Sequence, residues 1–184
     1  IAAQVVTALQ TLVSREVPPY EPAVVTIGKV HGGTAFNVIP NTVTLEGTVR
    51  ALSPEVRSLL ERRLAELSAH VALGMKGTAV TDYTRLYPPL INHQSGVDLV
   101  EDVVNAVLGP AALVQRDLEM GAEDFAFLLE RVPGAMFYLG VRHPDWATPR
   151  AIHNAEFDMD ERALPIGAAM MAGAALRYLE APIE

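Results

Sequence analysis

A chain of 184 residues that is 50% apolar and 20% charged has the composition of a globular protein, with room for one large domain or two small ones. Its formal charge of −8, from 14 basic and 22 acidic residues, disfavours non-specific nucleic-acid or acidic-membrane binding, which requires a basic face. The absence of cysteine excludes a disulfide framework, a thiolate metal site and a cysteine nucleophile.

The chain opens without methionine, directly on helical periodicity: Val5/Val6, Leu9 and Leu12/Val13 recur at spacings of three and four, with no N-cap residue ahead of them. A helix that starts in mid-stride is the expectation for a truncated or processed chain. The spacing predicts a helix to Glu16, ended by Pro18-Pro19. Residues 23–30, rich in β-branched side chains and followed by Gly32-Gly33, read as a strand. Residues 41–51 read as a second, with Val43, Leu45, Gly47 and Val49 on one face and Thr42, Thr44, Glu46, Thr48 and Arg50 on the other. Ser53 as N-cap and Pro54 at the first helical position open a helix that carries Val56, Leu59/Leu60, Leu64, Leu67 and Val71 and ends near Gly74. Residues 78–87 alternate as a third strand, ended by Pro88-Pro89.

Residues 1–87 therefore read helix, strand, strand, helix, strand. One strand placed in front would complete βαββαβ, the split-βαβ arrangement with a single antiparallel sheet and two helices on one face. The missing element falls where the chain begins, a second pointer to truncation. Beyond Pro89 the pattern predicts a helix over 96–108, a short strand near Leu113-Val114, a short helix over 123–129 and a buried apolar strand over 135–139. An irregular loop over 142–154 and a long helix over 164–179, rich in Ala, Gly and Met, follow. Alternating helices and buried strands indicate α/β architecture. Two strands are too few for a sheet covered on both faces, so this half is expected to need partners outside the chain. No run of about 18 apolar residues suggests a membrane span and no basic n-region marks a signal peptide, so a cytoplasmic location is expected.

The motifs H-E-x-x-H, G-x-S-x-G, the Walker A loop and the Rossmann glycine fingerprint are all absent. The richest chemistry lies at 150–161, where His153 precedes Glu156, Asp158, Asp160 and Glu161. A neutral imidazole in an irregular loop beside carboxylates suits a divalent metal. The alternative is a histidine that pairs with an aspartate, with Asp158 or Asp160 capping the last helix. The connection 31–40 displays His31 and Asn37, which can donate to an oxyanion or a carboxylate, and its glycines permit close backbone approach. The alternative there is a wide turn in which Asn37 bonds its own backbone. Glu123 and Asp124 suit the positive end of a helix, a structural role by default. His70 and His93 read as surface or packing residues, and His143 stands beside Pro144, Asp145 and Trp146, where it could line a pocket.

Three segments together carry a resemblance: HGGTAFNVIPNTVTLEGTVR (31–50), MGAEDFAFLLERVPGAMFYLG (120–140) and IHNAEFDMDERALPIGA (152–168). They resemble those of the dinuclear-metal amidohydrolases, the hippurate hydrolase and indoleacetyl-amino-acid hydrolase group, related to aminoacylase and succinyl-diaminopimelate desuccinylase. The resemblance runs along nearly the whole chain, including AAQVVTALQTLVSRE at its start. It implies an incomplete ferredoxin-like βαββαβ lid and dimerisation domain over residues 1–87, lacking its first strand. Residues 88–184 would be the C-terminal part of a phosphorylase/hydrolase-like α/β catalytic domain.

The activity implied is cleavage of the amide bond of N-acyl amino acids to a carboxylic acid and an amino acid, by a homodimer joined through its lids. His153 is implied as a ligand to one of two divalent ions (zinc, manganese or cobalt). His31 is implied to stabilise the oxyanion in the partner subunit's site, and Asn37 and Arg50 to hold the substrate carboxylate. Glu123 and Asp124 match the family's E-D-F segment near the pocket. Such enzymes also use a Cys-His pair, a Glu-Glu pair and a further His from upstream sequence, one glutamate being the general base. None of these is present, so the chain alone is expected to be inactive, with no metal or one weak site. A non-catalytic dimerisation or small-ligand-binding module is the alternative function.

Overall fold

In the computed structural model, which describes residues 1–183, the chain is mixed α/β and falls into two units. The first comprises Ile1–Pro89 with Glu119–Ala122; the second comprises Leu90–Leu118 with Glu123–Glu184.

In the first unit the predicted apolar stripe forms helix α1, Ala2–Thr11, which buries Val5 and Leu9. The helix continues as a π-helical turn over Leu12–Glu16 that keeps Leu12 out of solvent. It ends at Val17, whose extended backbone is what a residue before proline adopts. Strands β1 (Ala23–His31) and β2 (Thr44–Ala51) pair antiparallel, from Ala23 opposite Ala51 to His31 opposite Thr44. The register shifts between Ile27 and Lys29, leaving Gly28 as the extra residue of a bulge. Helix α2, Pro54–Gly74, begins where expected, with Ser53 Oγ accepting from the Val56 N–H at 3.2 Å. An isolated two-stranded hairpin is marginal in water. Here Val25, Leu45 and Val49 pack with Val5, Leu9, Leu12, Val56 and Leu60, so the two helices cover the hairpin's inner face. Arg63 of α2 binds Glu16 with two donors, Nε to Oε2 at 2.6 Å and Nη2 to Oε1 at 2.8 Å. Its Nη1 reaches Glu66 at 2.6 Å, so one side chain fastens the π turn to α2.

The third predicted strand does not form. Among the described residues, none of 78–86 makes a backbone–backbone hydrogen bond. The period of two nevertheless persists: Ala79, Thr81 and Tyr83 are half-buried while Thr78, Val80, Asp82 and Thr84 are exposed. Arg85 fastens the segment to Ser58 and Glu61 of α2. The alternation reports one packed face, whereas a strand requires a neighbour to complete its ladder, and none of the described residues supplies one.

The second unit is built on α3 (Gln94–Val107) and α5 (Ala163–Glu180), with the single turn α4 (Ala126–Leu129) between them in sequence. Val103, Val104 and Met170 form the buried contact, with Val100, Phe137, Ile166 and Ala174 around it. Gly173 permits this approach, because a Cβ there would lie 2.7 Å from Val103 Cγ1. The predicted strands near Leu113-Val114 and over 135–139 are also absent as ladders. Met136 exchanges both its backbone bonds with the Asn92 side-chain amide, at 2.9 Å each. The His93 N–H donates to Gly134 O at 2.9 Å, and His93 Nδ1 accepts from the Gly134 N–H at 3.3 Å. A side-chain amide thus stands in for a neighbouring strand. Among the described residues no helix is long and apolar enough to cross a membrane.

The core predicts a sharp contrast between two leucines of α2. Leu60 is fully buried and Leu73 is 67% exposed. Leu60→Ala is expected to destabilise the chain by roughly 2–5 kcal/mol in urea unfolding. Leu73→Ala should stay within about 0.5 kcal/mol of the parent.

Candidate functional site

The hairpin tip carries two of the predicted residues. His31 is the last paired residue of β1, and the chain leaves it through two glycines. A Cβ on Gly32 would meet Val43 Cγ2 at 2.8 Å, and Gly33 sits at φ +86°, so both positions favour glycine. Beyond them Phe36, Val38 and Ile39 stand exposed. The side chains of His31 and Asn37 are exposed and form no hydrogen bond among the described residues. The turn is closed instead by the Val38 N–H donating to Ala35 O at 3.4 Å. Asn37 therefore does not spend its amide on its own turn, and both side chains stay exposed on the connection between β1 and β2.

Arg50 lies in β2 opposite Val24, half-buried, and its Nη1 donates to Met120 O at 2.6 Å. The guanidinium has five donors in a fixed fork, so this bond leaves others for a carboxylate. Just beyond Met120, Glu123 Oε1 receives the Phe125 N–H at 3.5 Å, and the Asp124 carbonyl receives the Phe127 N–H at 3.0 Å. The E-D-F segment thus builds the first turn of α4.

His153 stands in the second unit, on the loop between Val141 and α5. Its φ of +63° is a left-handed conformation that few non-glycine residues adopt. Bonds on either side hold it. The Phe157 N–H donates to Asn154 O at 3.0 Å, and Asn154 Oδ1 accepts from the Glu156 N–H at 3.0 Å. Arg150 pairs with Asp158 at 2.7 Å while its guanidinium lies 4.5 Å from the centre of the Trp146 ring. The Asp160 N–H donates to Val141 O at 2.7 Å and closes the loop at its base. Arg150, Glu156, Phe157 and Asp158 line an open recess on this loop.

Of the two predicted helix caps, Asp158 is taken by Arg150 and its own neighbour's N–H. Asp160 accepts from the Arg162 N–H at 3.1 Å, at the entry to α5, and pairs with the Arg162 guanidinium. That hydrogen-bonded pairing lowers the Asp160 pKa to about 2. Among the described residues no three His, Asp or Glu side chains gather into a group fit for a metal ion. Two divalent ions need several donors each, so one imidazole does not make a dinuclear site from the residues present. His31, Asn37 and Arg50 share one hairpin; His153 belongs to the other unit.

Three interactions lay beyond the sequence patterns: the Arg50–Met120 bond, the Arg150 clamp on Trp146 and Asp158, and the Asn92 bridge to Met136. Each joins residues at non-periodic separations. Only the Trp146, Arg150, Asp158 grouping left a local trace, as an aromatic, a cation and an anion in one loop.

Chains of known function resemble this one along almost its entire length. The model of peptidase family M20/M25/M40 matches residues 16–177. An IAA-amino acid hydrolase of Arabidopsis thaliana is 34% identical over 97% of this chain and 41% of its own length. The N-acetyl-L-cysteine deacetylase of Bacillus subtilis is 34% identical over 100% of this chain and 42% of its own. A crystal structure from Bacillus subtilis, described as a dinuclear metal binding peptidase from the M20 family, superposes with a TM-score of 0.77 at 26% identity, over 98% of this chain and 45% of that one. The chain spans less than half the length of the curated relatives it matches.

The Asp160 pairing predicts a pH dependence. A carboxylate whose pKa falls on folding stabilises the fold above its unfolded value of about 3.9. That contribution disappears as pH drops through the folded value of about 2. Thermal midpoints of the parent and Asp160→Asn should differ at pH 6 and converge at the acid end of this window.

Proposed function

Since the chain belongs to peptidase family M20/M25/M40, we propose that it is the C-terminal half of an amidohydrolase that splits N-acyl amino acids into a carboxylic acid and an amino acid. Water adds to the acyl carbonyl and the C–N bond breaks. The observation that carries this reading is the connection between β1 and β2, where His31 and Asn37 are both exposed, beside the exposed Phe36, Val38 and Ile39, with no hydrogen-bond partners among the described residues. Free donors on a projecting tip suit a site completed by another surface, and the exposed Phe36, Val38 and Ile39 give that surface something to cover.

In this reading residues 1–87 are a ferredoxin-like βαββαβ lid whose first strand lies outside these 184 residues. The packed but ladderless segment 78–86 supports it, being a strand-like edge without its neighbour. Residues 88–184 are the C-terminal part of the catalytic domain. The enzyme is a cytoplasmic homodimer joined through its lids. His31 of one subunit donates to the oxyanion forming in the other, and Asn37 and Arg50 hold the carboxylate of the amino-acid part. His153 is one ligand of a two-ion centre of zinc, manganese or cobalt whose other donors lie outside this sequence. The 184-residue chain alone is inactive and holds at most one ion weakly.

Removal of one oxyanion donor typically lowers turnover by about 10²–10³-fold. In the longer polypeptide, His31→Ala is expected to do so with metal content unchanged, while His153→Ala lowers metal content itself. Steady-state kinetics on an N-acyl amino acid with elemental analysis of each variant checks both. Unchanged turnover in His31→Ala would remove that residue from the site.

A further inference from the structure

We propose that Arg150 is a positioning residue, which together with Asp158 holds the backbone around His153 in one fixed turn. His153 sits at φ +63°, a conformation that a non-glycine residue keeps only where its surroundings over-determine it. On its C-terminal side the bonds are local: Asn154 O receives the Phe157 N–H and Asn154 Oδ1 the Glu156 N–H, each at 3.0 Å. On its N-terminal side the fixed point is Arg150. Its Nη1 meets Asp158 Oδ2 at 2.7 Å, joining positions eight apart with His153 between them. Asp158 is held in turn, its Oδ1 accepting from the Met159 N–H at 2.9 Å. The Arg150 guanidinium also lies 4.5 Å from the centre of the half-buried Trp146 ring. Trp146 is itself tied down, its N–H donating to His143 O at 3.1 Å and its carbonyl accepting from Arg142 Nη2 at 2.6 Å. Arg150 thus links the leg of the loop that leaves Val141 to the leg that returns to α5, and all of these groups lie in the second unit. The ion pair is about half exposed, so it adds little to the stability of the fold. A weak link that spans a left-handed residue is better suited to selecting one local conformation than to holding the chain folded.

Backbone NMR order parameters of the 184-residue chain and of Arg150→Met, Asp158→Asn, their double variant and Arg150→Lys test the clamp without any ligand. In the parent, residues 151–157 should show values near ~0.85, as in rigid backbone, falling below ~0.6 in either single variant. The double variant should be no looser than the singles, because all three remove the same link. Arg150→Lys keeps a cation for both the carboxylate and the ring, and should restore the order. Residues 151–157 as rigid in Arg150→Met as in the parent, or already mobile in the parent, would overturn the proposal. So would an unchanged turn in Asp158→Asn beside a loosened one in Arg150→Met, which would reduce Arg150 to a packing partner of Trp146. If a variant also loosens α3 or α5, Arg150→Lys decides: ordered helices with a mobile turn contradict the clamp, and an ordered turn supports it. Under the amidohydrolase reading above, on which only this last arm rests, the turn presents the His153 imidazole to a metal ion. In the longer polypeptide, Arg150→Met should then raise the apparent Kd for zinc by about 10–100-fold in equilibrium dialysis, with Arg150→Lys near the parent. An unchanged Kd beside a loosened turn would withdraw His153 from the metal centre and leave the clamp standing on its NMR result.

Discussion

Extended backbone persists in a folded protein only where its N–H and C=O groups find partners, and this chain carries more strand-like sequence than it can pair. β1 and β2 satisfy each other, and α1 and α2 cover their inner face through Leu9, Leu12 and Leu60. Elsewhere substitutes take over. Arg85 pins residues 78–86 to α2 through its own side chain, the Asn92 amide bonds both backbone groups of Met136, and Arg50 bonds the Met120 carbonyl. At Met136 a side chain does what a neighbouring strand does in a larger sheet. At Met120 a side chain meets the carbonyl alone, and at 78–86 one holds the segment without bonding its backbone.

The candidate site is shaped by the same constraint. Three of the predicted site residues lie where regular structure ends, while Arg50 stays paired within β2. His31 is the final rung of a ladder, Asn37 sits on the tip beyond it, and His153 occupies a left-handed position in a loop tied at its base. Such positions present side chains outward while the hairpin or the loop bonds fix the backbone beneath them. Among the described residues, the candidate side chains His31, Asn37 and His153 are all exposed. Two ions would require acidic and nitrogen ligands gathered around them, and the described residues gather no such group.

What was legible in the sequence followed from local periodicity and capping. The α2 boundaries, with Ser53 and Pro54 at one end and Gly74 at the other, are local chemistry and appear as read. So do the inward faces of β1 and β2, and the α3 and α5 helices to within two residues of their expected ends. The strands over 78–87 and 135–139 failed because alternation encodes which face is buried, while a ladder depends on a neighbour that local sequence does not describe. For the candidate site, residue chemistry singled out His31, Asn37 and His153, and motif resemblance alone suggested their roles. The environment of each was hidden. Nothing in LEGTVR announces that Arg50 reaches a carbonyl 70 residues away, and nothing around His153 announces its positive φ.

Membership in peptidase family M20/M25/M40 and a length under half that of the relatives fit a site divided between this sequence and a further part of a longer protein. The direct measurement is the metal stoichiometry of the purified 184-residue chain, by equilibrium dialysis against zinc or manganese followed by elemental analysis. A divided site predicts at most one weakly held ion per chain, lost in His153→Ala. Two tightly held ions per chain would contradict it, because the residues present would then form the dinuclear centre by themselves.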